Sequence, residues 1–192
     1  MNNRRNLNFR NLNPIMIIMA INVIVFVAVR ISPDLLGYLG VWGRPLFSQR
    51  PWGLITSIFT HYDLFHLFAN MFTLYFFGNS VLSIIGIKKF SLLYLVGGMV
   101  GSAFFVLLEP YSLAIGASGA VFALGGALAI LAPNVKVIVF PIPAKMPLWI
   151  AVIGGFVILS FVSGVAWQAH AGGLLTGLAA GLLFKRENRY YY

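Results

Sequence analysis

Apolar residues run in blocks near twenty long across most of this chain, separated by short polar or basic stretches. A helix needs about twenty such residues to cross the hydrocarbon core of a bilayer. Six blocks qualify: Pro14–Ile31, Leu64–Ile87, Phe90–Leu108, Ser118–Ala132, Pro147–Val165 and Gln168–Phe184. Pro14 suits the first turn of a helix, which has no use for its missing N–H, and Pro133 closes the fourth block. Short connections make neighbours antiparallel. The predicted architecture is an all-α polytopic membrane protein, one six-helix domain over residues 14–187 between a tail 1–13 and a tail 188–192.

The stretch Ser32–Thr60 departs from this pattern. It is apolar and aromatic (Tyr38, Trp42, Phe47, Trp52) but broken by Gly37, Gly40, Gly43, Pro45, Pro51 and Gly53. Broken backbone at membrane depth must find its hydrogen-bond partners within the protein. A structured first loop, partly embedded in the membrane, is expected.

Composition agrees. Of 192 residues, 60% are hydrophobic and only 9% charged, against about a quarter charged in soluble domains. The net charge of +9 comes from 13 Lys and Arg against 4 Asp and Glu. These cations sit at the ends of apolar blocks rather than on one face, which argues against nucleic acid as a partner. With no cysteine there is no disulfide, thiol nucleophile or thiolate metal site. The tail 1–13 is Arg- and Asn-rich without acids, and reads as a cytoplasmic tail rather than a targeting sequence.

Placing the N-terminus inside puts Arg4, Arg5, Arg10, Lys88, Lys89, Lys136, Lys145, Lys185, Arg186 and Arg189 on the inner side. Arg30, Arg44 and Arg50 are left outside. That bias predicts cytoplasmic termini. Blocks two, four and six then run inward from the outer face, and each opens with polar residues: His61, His66 and Asn70, then Ser118, then His170. Ser118 lies 15 residues before Pro133, and His170 lies 15 before Lys185. At ~1.5 Å per residue both sit ~22 Å from the inner boundary, and a ~30 Å core leaves both within about ten ångströms of the outer one. The fourth block is too short to reach the outer surface, so Ser118 begins within the membrane below a dipping loop, Glu109–Ala117. A thiol at Ala117 is expected to be reachable from outside.

Small residues recur every fourth position in both helices: Gly119, Ala123 and Ala127, then Ala169, Gly173, Gly177 and Gly181. Such stripes let helix backbones approach closely in lipid. A serine brought to a histidine in this way is a nucleophile with its general base. The Ser118 N–H at a helix start, with His66 and Asn70 one turn apart, supplies candidate oxyanion donors. The acids Asp34, Asp63, Glu109 and Glu187 all fall outside the blocks, so a Ser–His dyad is the economical reading. Ser102 and Ser160 are read as bonding back to their own helices. His61, five residues before His66, falls off the i, i+4 metal spacing and is read as interfacial or structural.

These residues resemble the rhomboid family of intramembrane serine proteases. The likeness rests on the six blocks, the long first loop, the His-x4-His-x3-Asn run (His61, His66, Asn70), G-x-S-G at Gly116–Gly119 and A-H-x-x-G-x-x-x-G over Ala169, His170, Gly173 and Gly177. The resemblance implies a rhomboid-like bundle with Ser118 as nucleophile and His170 as base. It implies oxyanion donors from His66, Asn70 and the Ser118 N–H, and cleavage of transmembrane substrates near the outer face. Gly116, Gly119, Phe122, Gly173 and Gly177 are expected in support, with no cofactor and no metal. The form is the bare six-span one, expected in a prokaryotic plasma membrane. Two departures stand out. Family members often carry Trp-Arg where this chain has Arg50-Pro51-Trp52, and many have Tyr where Phe122 stands. Competing readings are an inactive rhomboid that binds membrane clients, and a small channel or transporter. The latter predicts polar residues spread across the membrane and internal repeats, whereas here they gather at one depth.

Overall fold

A computed structural model describes residues 13–139 and 144–188. The predicted tails, except Asn13 and Asn188, lie outside the described residues, and with them Arg4, Arg5, Arg10 and Arg189. Helix α1 (Pro14–Ile31) has the predicted bounds, with the Asn13 side chain capping the Ile15 N–H and proline in the first turn. Helix α5 (Leu64–Leu108) covers the second and third blocks without a loop between them. Its one non-helical residue is Gly86, at φ 74° and ψ 171°, a conformation that glycine adopts without steric cost. The chain reverses there. His66 lies beside Gly116, while Gly101 rests against the Ala169 carbonyl and the Gly119 α-carbon. As one straight helix, residues 66 and 101 would stand ~50 Å apart. The break falls at Gly86 rather than at Lys88-Lys89, where hydropathy alone places it.

Helix α6 (Ser118–Leu131) is short and buried along most of its length. It packs against both halves of α5 and against α8 (Trp167–Asn188). Around it gather Ile58, Leu74, Phe90 and Tyr94, packed with its own Leu124 and Leu128, each at most 2% exposed. Helix α7 (Leu148–Ser160) is peripheral, burying only Leu148 and Val152. It ends before the predicted Val165, because residues 161–164 form turns that close on Gly164 at φ 78°. The hydropathy pattern continues past the point where the backbone stops being helical. Among these elements, α1 and α5 are long and apolar enough to cross a membrane unaided; α6 and α7 are apolar but shorter.

The first loop is ordered as expected. Helices α2 (Asp34–Leu39), α3 (Arg44–Phe47) and α4 (Gly53–Thr56) precede a 3-10 turn, Ser57–Phe59. Between α2 and α3, strand β1 (Val41–Trp42) pairs antiparallel with β2 (Leu113–Ala114), which sits in the loop before Ser118. A hairpin of β3 (Lys136–Ile138) and β4 (Lys145–Pro147) joins α6 to α7. Neither pairing is visible in the sequence, since two- and three-residue strands leave no periodic trace.

Candidate active site

One backbone conformation and two hydrogen bonds shape the turn before Ser118. Gly116 sits at φ 120°, where a side chain would be strained, and a Cβ there would come within 2.7 Å of His66 Nε2. Its N–H donates to the Ser57 carbonyl at 2.9 Å. The Ala117 N–H donates to His61 Nε2 at 3.4 Å. Ser118 then opens α6 and is half-buried. Ala117 itself is fully buried. The expectation that a thiol there would be reachable from outside is therefore corrected: Gly116 and Ser118 on either side are half-buried, whereas the Ala117 side chain is packed away.

Glycine determines how closely α6 and α8 approach. A Cβ at Gly173 would overlap the Gly119 carbonyl, and one at Gly177 would overlap the Ala123 carbonyl. A Cβ at Gly119 would stand 3.2 Å from the Ala169 carbonyl. With backbones in contact, His170 in the first turn of α8 reaches Ser118: Nε2 to Oγ is 2.8 Å, across 52 residues of sequence. His170 is only 5% exposed, and its buried Nδ1 has no hydrogen-bond partner among the described residues. No described carboxylate accepts a hydrogen bond from that nitrogen. The Phe122 ring lies beneath it, centroid to centroid 4.6 Å and inclined 33°, and is braced edge-on by Phe156 at 6.0 Å. A phenolic hydroxyl is not required for that packing.

The start of α5 brings the remaining polar groups. The Asp63 side chain caps the helix by accepting the His66 N–H at 2.8 Å. Buried Asn70 donates one amide hydrogen to the His66 carbonyl at 2.9 Å. A primary amide has a second donor, which this bond leaves free. The His66 ring lies against the Gly116 turn and meets the His61 ring edge-on at 4.9 Å. His61 is fully buried, and burial, with a smaller contribution from neighbouring His66, lowers its pKa to about 3. It is thus neutral at physiological pH.

The Arg50-Pro51-Trp52 departure leaves the first loop well bonded. Arg50 and Trp42 both donate to the Gly37 carbonyl, at 2.9 and 2.7 Å, and Trp52 donates to the Tyr38 carbonyl at 2.9 Å. At the end of α5, Glu109 accepts from Ser112 at 3.0 Å and from Gln168 at 3.3 Å, linking the loop before Ser118 to the start of α8. Ser160 bonds back to Phe156 as expected. Ser102 has a partner that sequence reasoning missed: its hydroxyl meets that of buried Ser57 at 3.2 Å. Only the oddity of a serine in an apolar loop could have flagged Ser57.

The rhomboid domain family matches residues 48–187. Rhomboid protein 1, mitochondrial, of Saccharomyces cerevisiae is 30% identical over 148 residues, which is 67% of this chain and 40% of that protein. RHOMBOID-like protein 6, mitochondrial, of Arabidopsis thaliana is 32% identical over 143 residues, 74% of this chain and 46% of its own length. Rhomboid protease GluP of Bacillus subtilis is 35% identical over 130 residues, 67% of this chain and 25% of GluP. The chain thus spans less than half the length of each of these curated relatives. The match takes in the end of the first loop from residue 48, the polar start of α5, the Gly116–Gly119 turn and the glycine-lined α8, and the chain belongs to the rhomboid family of integral membrane proteins.

Proposed function

We propose that this rhomboid is an intramembrane serine endopeptidase that cuts transmembrane segments of other membrane proteins near the outer face of the bilayer. The observation that carries this reading is the 2.8 Å contact between His170 Nε2 and Ser118 Oγ. In the proposed reaction Ser118 Oγ attacks the scissile carbonyl carbon while His170 Nε2 takes the hydroxyl proton. The tetrahedral oxyanion is met by the Ser118 N–H, at a helix start where the positive end of the dipole favours negative charge. The His66 ring and the free amide hydrogen of Asn70 add side-chain donors. Collapse breaks the peptide bond, and His170 returns the proton to the leaving amine. Water, deprotonated by His170 in turn, then hydrolyses the acyl ester on Ser118. Among the described residues His170 has no carboxylate partner; the Phe122 ring beneath it supplies orientation by packing.

The domain proposed is residues 14–187, with six membrane crossings: α1, the two halves of α5, then α6, α7 and α8. The lysine and arginine asymmetry supports cytoplasmic termini and a site open to the outside, in a prokaryotic plasma membrane. Substrates are proposed to be membrane proteins whose helices unwind near the cut, because a helix hides its peptide bonds from a nucleophile.

The test is to expose the purified protein to a fluorophosphonate serine probe and to a single-span substrate. Wild type should be labelled and should cleave; Ser118→Ala and His170→Ala should do neither while remaining folded in detergent. The double variant should lose no more than either single one, because the pair acts as a unit. Wild-type turnover in Ser118→Ala would end the protease reading. A folded wild type that is neither labelled nor active would favour the client-binding alternative.

A further inference from the structure

His61 is a fully buried imidazole that the proposed reaction does not use. It touches both halves of the oxyanion site. Its Nε2 accepts the N–H of Ala117, the residue just before the nucleophile, and its ring meets the His66 ring edge-on at 4.9 Å. We infer that His61 is a positioning residue that fixes the nucleophile turn and the His66 ring relative to each other. The inference rests on the serine-protease reading for its effect on turnover, though not for the geometry itself.

The physical case is one of allocation. Three successive backbone donors, on Gly116, Ala117 and Ser118, enter the start of α6. The first is taken by the Ser57 carbonyl and the second by His61. The third belongs to the first turn of the helix, where no intrahelical acceptor exists, so it is the donor left for an oxyanion. Without an acceptor at position 61, the buried Ala117 N–H would be left unsatisfied, which destabilises the turn as built. The turn could then rotate to find another partner and carry the Ser118 N–H out of line. An Nε2 that accepts also fixes the tautomer, with the proton on Nδ1.

Two measurements test this. In the first, His61→Leu fills similar space without an acceptor, while His61→Gln restores a carbonyl oxygen. His61→Leu should lower kcat by about ten- to a hundredfold, the scale of a small misplacement of reacting groups, with KM little changed. His61→Gln should recover a substantial part. Loss that follows thermal stability alone, with no rescue by Gln, would overturn the inference; so would wild-type kcat in His61→Leu. In the second, 15N-histidine NMR of the folded Ser118→Ala protein should show His61 neutral with its proton on Nδ1. An Nε2-protonated His61 would overturn the inference whatever the enzyme assays give. If instead the wild type lacks turnover and probe labelling while the Nδ1 tautomer is found, the protease reading fails and the geometric role of His61 stands.

Discussion

The α-carbon of Gly173 rests so close to the carbonyl of Gly119 that not one methyl group fits between them. The distance between Ser118 and His170 is therefore set by two backbones rather than by flexible side chains. Gly173→Ala should push α8 from α6, destabilising the fold by about 1–3 kcal/mol through overpacking and suppressing turnover further by separating Ser118 from His170. Gly154→Ala, on α7 where an added Cβ meets nothing within 4 Å, is the control and should be silent in both thermal unfolding and cleavage. Full activity in Gly173→Ala would show that α8 can shift without consequence.

In the proposed reaction Asn70 is a second, independent donor to the oxyanion. Losing one such donor typically costs about 2.7–4 kcal/mol in the transition state. Asn70→Ala should therefore lower kcat by about a hundredfold or more and leave KM nearly unchanged. A KM effect with normal kcat would make Asn70 a binding or structural residue, a role its bond to the His66 carbonyl at 2.9 Å would suit.

Acid should weaken the fold through His61. An ordinary imidazole titrates near 6.5, and burial lowers this one to about 3. Between those values the unfolded chain binds a proton that the native site refuses, so stability falls as pH drops from 6.5 towards 3 and is fully present above 6.5. Thermal unfolding in detergent at pH 7 and pH 4.5 should show a larger acid loss for wild type than for His61→Leu. Equal losses would move the source of acid sensitivity elsewhere.

The chain contains no cysteine, so single thiols report topology cleanly. Tyr111 is 84% exposed in the loop that leads to Ser118, and Ile138 is 62% exposed in the hairpin at the other end of α6. A membrane-impermeant reagent applied to intact cells should label Tyr111→Cys and spare Ile138→Cys until the membrane is opened. The reverse pattern would invert the proposed orientation.

Much of this was legible in the sequence for a physical reason. Long apolar blocks, a Gly-Ala-Ser-Gly turn and a glycine every fourth residue after His170 constrain backbone placement so tightly that helices and juxtaposition follow. The break at Gly86 was misplaced by two residues because charge marks a membrane boundary, whereas φ marks a turn. The ladder of Val41–Trp42 with Leu113–Ala114 was invisible, since it depends on where two loops meet rather than on any local pattern. The sequence marks His61 as interfacial or structural, and the structural reading agrees with its full burial. Its partner, the Ala117 N–H, lies 56 residues away in sequence.

Gly86 also governs where the chain tolerates surgery. Two long helices meet there with no intervening turn residues, so a protease finds no exposed strand to grip and an inserted reporter has no slack to absorb it. An added Cβ would meet no atom within 4 Å, so the obstacle is conformational, not steric crowding. Tags and split points belong instead at the turns of 161–164, where exposed residues separate α7 from α8. A fusion placed there can be accommodated without prising apart the helices that carry Ser118 and His170.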